Sequence, residues 1–366
     1  MRLPAPRSLV AASVALLLAA PLGAEEAKVV NVYNWSDYID ESILAEFEAE
    51  TGIRVVYDVF DSNDILETKL LAGSTGYDVV VPTGNFLARQ IQAGVFQKLD
   101  KSKLPNLSNM WDLISERVAK FDPGNEYSIN YMWGTSGIGY NVDEVRQRMS
   151  EAPVNSWQLI FDPEILAKFA DCGVHLLDAS DELIPAALNY LGEDPTTQDV
   201  EVIRKAEPVL MAIRPYIQKF HSSEYINALA NGDICIAVGW SGDVLQAADR
   251  AAEAENDVNV EYVIPDEGAL MWFDQMAIPV DAPHPNNAHA FLDFMMRPDN
   301  AAKASNYIYY ANGNEASQEQ LDSDVIDDPS IYPPPETVAK LYTVGPYPPR
   351  TQREVTRLWT RVKSAQ

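Results

Sequence analysis

The stretch VVNVYNWSDYIDESILAEFEAETGIRVVYDVF, residues 29–60, decides the architecture. Its first seven residues, VVNVYNW, are mostly apolar and read as a buried strand. DESILAEFEAETG (40–52) has apolar residues at helical spacing, acids in its first turn and a closing glycine, so it reads as a helix. IRVVYDVF (53–60) reads as a second strand. Further along, NDILETKLLAG (63–73) is helical, YDVVVP (77–82) is a strand, and NFLARQIQAG (85–94) is another helix ended by glycine. Such βαβαβα runs build parallel sheets with right-handed crossovers. Ligands of open parallel sheets sit at the carboxyl ends of the strands. Trp35–Tyr38 and Pro82–Asn85 follow two such ends, so the pattern predicts that both face one crevice.

A second alternating unit lies beyond YMWGTSGIGYN (131–141). That segment is glycine-rich and strand-like, and it lacks the lysine of a phosphate loop. An extended segment of this kind suits a crossing between two lobes. CGVHLLD (172–178) reads as a strand, DELIPAALNYLG (181–192) as a helix, and DVEVIRKAEPVLMAIRPYI (199–217) as one longer helix. Residues 224–254 read as helix, strand, helix. VEYVIP (260–265) is a strand, and ALMWFDQMAIPV (269–280) fits a returning crossing. NNAHAFLDFMMRPDNAAKASNYI (286–308) reads as helical, and the end is proline-rich with a short amphipathic close. Two α/β lobes joined by extended crossings describe a bilobed solute-binding protein that closes by hinge motion.

Composition narrows the partners. The 366 residues include 27 Lys and Arg against 54 Asp and Glu, a net charge of −27. Nucleic acid and anionic lipid need basic surfaces, so both are excluded as expected partners. A negative field favours a cationic ligand, although acidity also serves plain solubility. The hydrophobic share of 47% and charged share of 22% are those of a soluble globular chain. Arg2, Arg7, the short apolar run SLVAASVALLLAA and the small residue Ala24 form a secretory signal over residues 1–24. Its removal leaves 25 − 54 = −29 and a protein free in a bacterial periplasm. Cys172 and Cys235 each lie beside a strand-like run. An even pair in an oxidising compartment suggests one disulfide; two buried thiols are the alternative. The four histidines are scattered and form no metal pattern, so neither metal nor cofactor is expected.

Three of the seven tryptophans stand beside an acid, in NWSDY (Trp35, Asp37, Tyr38), GWSGD (Trp240, Asp243) and MWFD (Trp272, Asp274). A fourth aromatic stretch, YIYYANGN, holds Tyr307, Tyr309 and Tyr310 without an acid. Carboxylates give an ammonium charge-assisted hydrogen bonds. Aromatic faces wall its methylenes and attract the cation, for roughly 0.5 to 2 kcal/mol each. A box of Trp and Tyr with acids at its ends suits an aliphatic polyamine. Each stretch also has a plainer reading: a helix cap at Ser36 or Asp37, a capping Asp243, a core strand at MWFD. Tyr309 and Tyr310 raise a ferric-binding alternative. Paired carboxylates raise a secreted hydrolase, yet no G-x-S-x-G or H-E-x-x-H motif is present and no enzyme is expected.

The motifs VYNWSDYI, YDVVVPTGNFLARQI, GTSGIGYN, GDICIAVGWSGDV and FDQMAIPVDAPHP resemble those of the periplasmic putrescine/spermidine-binding proteins of bacterial polyamine ABC transporters, over nearly the whole mature chain. The resemblance implies an α/β, two-lobe periplasmic solute-binding fold of type II, each lobe a parallel-rich sheet flanked by helices. The expected lobes are residues 25–135 with roughly 275–320, and 136–274 with roughly 321–366, with the ligand in the cleft between them. It implies delivery of polyamine to an inner-membrane ABC permease, and a monomer is the expected state. It further implies that Trp35 and Tyr38 line the box, that Ser36 and Asp37 lie near one amine, and that Thr83 stands where relatives often have Ser. Trp240 should stack on the methylenes. Asp243 and Asp274 should hold amines, Trp272 should be a wall, and Tyr310 should close the box. Glu182 is the further acid, with Asp181 as the substitute. Family members also carry a pair like Cys172 and Cys235. Trp272 stands where spermidine-preferring relatives have Trp and putrescine-preferring ones Phe, so spermidine is the expected preference.

Overall fold

The computed structural model describes residues 26–365. The secretory signal expected over residues 1–24 lies outside them. Ten strands order the described chain: β1 (Val29–Trp35), β2 (Arg54–Phe60), β3 (Val79–Val80), β4 (Ser128–Asn141), β5 (Val174–Leu176), β6 (Lys219–Phe220), β7 (Ile236–Trp240), β8 (Val260–Val263), β9 (Met271–Ala277) and β10 (Ala311–Asn312). They form one path, β2-β1-β3-β9-β4-β7-β5-β6, with β8 and β10 also on β4. The outer pairs β1–β2, β1–β3, β5–β6 and β5–β7 are parallel, as the alternating helix and strand pattern predicts. The central pairs of β4 are antiparallel.

β4 explains how one chain makes two wings. It has fourteen residues, all buried, and spans about 46 Å at the usual rise. Residues up to Thr135 pair with β9, and those from Ser136 on pair with β7. The glycine-rich crossing expected from YMWGTSGIGYN is therefore this strand. β9 pairs along its whole length with the first part of β4, Ser128–Thr135.

Helices begin and end where side chains close their free backbone groups. Asp40 accepts from the Ser42 amide at 2.8 Å, and Gly52 at φ +68° ends the helix Glu41–Thr51. Ile43 and Phe47 face the core, where Phe47 meets Phe291 and Phe294 edge-on. Prolines divide two segments expected to be single helices. Pro208 has no N–H to offer the carbonyl of Arg204, and residues 199–217 split into Val200–Ile203, Ala206–Ile213 and a short 3-10 turn. Pro298 holds Arg297 extended (φ −66°, ψ 138°), which separates Pro285–Met295 from Pro298–Ile308.

Cys172 and Cys235 are bonded, Cα to Cα 5.5 Å, just before the paired strands β5 and β7. The C-terminal helix Pro349–Ser364 packs on helices of the second wing. Val325 and Ile331 instead join a small core with Ile114, Phe121, Trp133 and Phe273, so the chain just after residue 320 packs with the first wing.

Candidate functional site

Between the wings lies a cavity lined by residues of both. Its walls are Trp35 from the end of β1, Trp240 from the end of β7, Trp272 from β9, and the nearby Tyr38 and Tyr310. The rings meet edge to face: Trp35 and Trp240 at 5.4 Å, Tyr38 and Tyr310 at 5.2 Å, Trp272 and Tyr310 at 5.3 Å. Such pairs are favourable geometries for aromatic quadrupoles. Two glycines make room. A Cβ on Gly242 would lie 2.5 Å from the Tyr310 ring, and one on Gly134 would lie 2.7 Å from Trp272.

Three carboxylates enter this aromatic box, with exposures of 4% for Asp274, 6% for Asp243 and 8% for Glu182. Asp274 accepts from Tyr38 Oη at 2.9 Å and Thr83 Oγ1 at 2.6 Å. Asn63 donates to Thr83 Oγ1 at 2.9 Å and accepts from its amide, which orients that hydroxyl. Asp243 accepts from Tyr225 Oη and Tyr310 Oη, both at 2.7 Å. Glu182 accepts from the Trp240 indole N–H at 3.2 Å and from the Ser136 hydroxyl.

Local folding puts these acids here. β7 runs directly into the helix Ser241–Glu253, which places Asp243 in its first turn. Glu182 and Asp181 occupy the first turn of Ser180–Tyr190. The positive end of a helix favours a carboxylate in that turn. Burial works the other way. It lifts Asp274 to about 7 and Asp243 to about 6, with the hydroxyl donors limiting each rise. Glu182 and Asp181 are both raised by burial, and Glu182 further by its acidic neighbour. The phenols of Tyr38, Tyr225 and Tyr310 are held well above their usual value by burial, so they stay donors.

The plainer readings of the motifs describe these side chains only in part. Asp243 spends both oxygens on phenols and caps no helix. Asp40, not Ser36 or Asp37, caps the helix after NWSDY. β9 is a buried strand, yet its Asp274 turns into the cavity. The cavity brings together Trp35, Ser36, Tyr38, Thr83, Glu182 and Trp240 with Asp243, Trp272, Asp274 and Tyr310. Asp37 does not line it. Its backbone is left-handed (φ +54°), its side chain is exposed, and its carboxylate pairs with Arg250 at 2.7 Å. Asp181 accepts from Asn85 at 2.8 Å in an adjoining cavity, which leaves Glu182 as the acid in the main one. Tyr309 caps the helix Pro298–Ile308 at φ +58° and packs on the small core, so it does not converge with Tyr310.

Three lining residues escaped the sequence reading: Asp61, Asn63 and Ser222. Asp61 directly follows β2, and Ser222 closely follows β6, so the rule about strand ends points to both. Tyr225 also escaped, because a phenol one helix turn beyond a strand carries no pattern that ties it to Asp243.

A family model described as bacterial extracellular solute-binding protein matches residues 42–333. The putrescine-binding periplasmic protein PotF of Escherichia coli is 52% identical over 352 residues, 95% of each chain. The putrescine-binding periplasmic protein SpuD of Pseudomonas aeruginosa is 50% identical over 359 residues, 98% of each chain. The structure of the spermidine/putrescine ABC transporter substrate-binding protein PotD of Streptococcus pneumoniae superposes with a TM-score of 0.74 at 30% identity, covering 92% of this chain and 99% of that one. These relatives are binding proteins, not enzymes.

Proposed function

The chain belongs to the bacterial extracellular solute-binding proteins, and from that premise we propose that it captures an aliphatic polyamine in the periplasm and hands it, as a monomer, to an inner-membrane ABC permease. One observation carries the reading. Three buried carboxylates face an aromatic cavity, and no Lys or Arg is among its lining residues. Buried acids without a cation are costly. A linear diamine supplies the missing charges at its ends and apolar methylenes for the rings. Asp243 and Asp274 take the ammonium groups, Glu182 adds a third acceptor, and Trp35, Tyr38, Trp240, Trp272 and Tyr310 form the box.

The ligand we assign is putrescine. The spermidine preference read from Trp272 rests on one residue, whereas the two relatives near half identity both carry putrescine in their names. Trp272 itself favours a second reading, in which spermidine is also bound. The lobes we assign meet within β4 at Thr135 and Ser136, with the return crossing between β8 and β9. Export through the leader at residues 1–24 completes the reading.

The test is calorimetry on protein unfolded and refolded to strip any bound amine, titrated with putrescine, spermidine and cadaverine. A single saturable site with the ligand recovered unchanged is expected. At 100 times the dissociation constant, ligand should stabilise the fold by roughly 2.7 kcal/mol. No heat and no melting shift with any amine would sink the proposal.

A further inference from the structure

The residues around Ser36 divide two acids between two roles. NWSDY pairs Ser36 with Asp37 in sequence, but the fold separates them. Asp37 is taken by Arg250, which reaches it at 2.7 Å from the helix Ser241–Glu253. Ser36 instead donates to Asp61 Oδ1 at 2.8 Å. Asp61 lines the cavity, Asp37 does not, and Asp61 has no ion-pair partner among the described residues. Its position differs from that of the other three acids. Asp243, Asp274 and Glu182 are buried, whereas Asp61 is half-buried, as are Ser36, Asn63 and Trp240 beside it in the lining. Of the lining residues only these four and Thr83 are half-buried, which puts them at the cavity's rim. The buried acids already outnumber the two ammonium groups of a diamine. A carboxylate at the rim, oriented by a hydroxyl and lacking a cation, serves a charge that the inner box does not reach.

We propose that Asp61 is a specificity residue that holds a cationic group beyond those seated inside: the third ammonium of a triamine, or the guanidinium end of a longer monoamine. This rests on the reading of the cavity as an amine site. Asp61 and Ser36 both come from the first wing, at the ends of the neighbouring strands β2 and β1. The station is thus preassembled and does not depend on closure. Water reaches it, so its contribution is smaller than that of a buried acid.

The experiment titrates the full mature protein and its Asp61→Asn variant with putrescine, spermidine and agmatine, after melting curves establish that both fold. The amide keeps the shape and an acceptor for Ser36 while removing the charge. We expect Asp61→Asn to weaken spermidine, agmatine or both by about fivefold to tenfold and to change putrescine by less than about twofold. Asp37→Asn, which breaks only the Arg250 pair, should not discriminate among the amines. Equal losses for all three amines in Asp61→Asn, or no loss for any, overturn the proposal. So does a wild-type protein that takes putrescine but neither of the other two. A wild-type protein that binds no amine at all sinks the reading of the cavity itself, a result distinct from a silent Asp61→Asn.

Discussion

Asp274 and Asp243 face one cavity from different wings, and their hydroxyl donors come from different places. Tyr38 and Thr83, which hold Asp274, both belong to the first wing with it. Asp243 takes one hydroxyl from Tyr225 of its own wing and the other from Tyr310, which stands directly before β10 on the first wing's part of β4. The first station is complete within one wing. The second is complete only when the wings are together. On the proposed reading, a ligand bridging the two acids would also favour the bond between Tyr310 and Asp243 and so couple binding to closure.

The largest effect should come from removing either acid. Asp243→Ala and Asp274→Ala should each weaken putrescine binding by roughly 2 to 5 kcal/mol, because an ammonium is left desolvated and unpaired. Calorimetry on folded variants measures this. Parent-like affinity in both would mean that neither station binds the ligand.

Acid should come next. Both carboxyls titrate above the unfolded range of about 4, so the empty fold holds more protons than the unfolded chain between that pH and their own values. Their contribution to stability is thus greatest at low pH and is lost as pH rises through about 6 for Asp243 and about 7 for Asp274. A bound dication reverses the preference by favouring the ionised forms. Affinity should tighten by about tenfold or more from pH 5 to pH 8. Asp274→Asn should remove part of the pH slope in the melting temperature of the empty protein. A flat affinity profile would show that the carboxyls are already ionised when the cavity is empty.

Tyr38→Phe and Tyr310→Phe sharpen the contrast between the stations. Each loses one hydrogen bond to a carboxylate, worth about 1.5 to 3 kcal/mol. Only Tyr310→Phe should also impair closure, seen in small-angle scattering as a smaller ligand-induced decrease in the radius of gyration. Equal decreases in both variants would remove the distinction drawn here. Trp272→Phe should have the smallest effect, a few-fold shift from spermidine towards putrescine, since an aromatic wall remains. An unchanged ratio would strip Trp272 of any part in selectivity.

The strands and helices of the first wing were legible because their apolar periodicity, caps and closing glycines are local properties of residues 29–94. Strand ends also pointed to the box, since a parallel sheet opens its crevice there. Proline breaks at 208 and 298 were written in the sequence as well, but helical periodicity ran across them and hid the divisions.

The α/β plan, the aromatic–acid motifs and the cysteine pair beside two strands are written in local patterns of the chain. Which acid reaches the cavity depends instead on how distant segments pack. Asp37 and Asp61 have the same side chain, and both follow a strand of the same sheet. A left-handed turn sends one out to Arg250, while the register of β1 against β2 sets the other beside Ser36 in the cavity. Likewise, nothing local joins Tyr310 to Asp243, 67 residues apart. Their bond exists because β4 runs through both wings, and a hydrogen bond depends on where two chains meet in space rather than on what lies next to either.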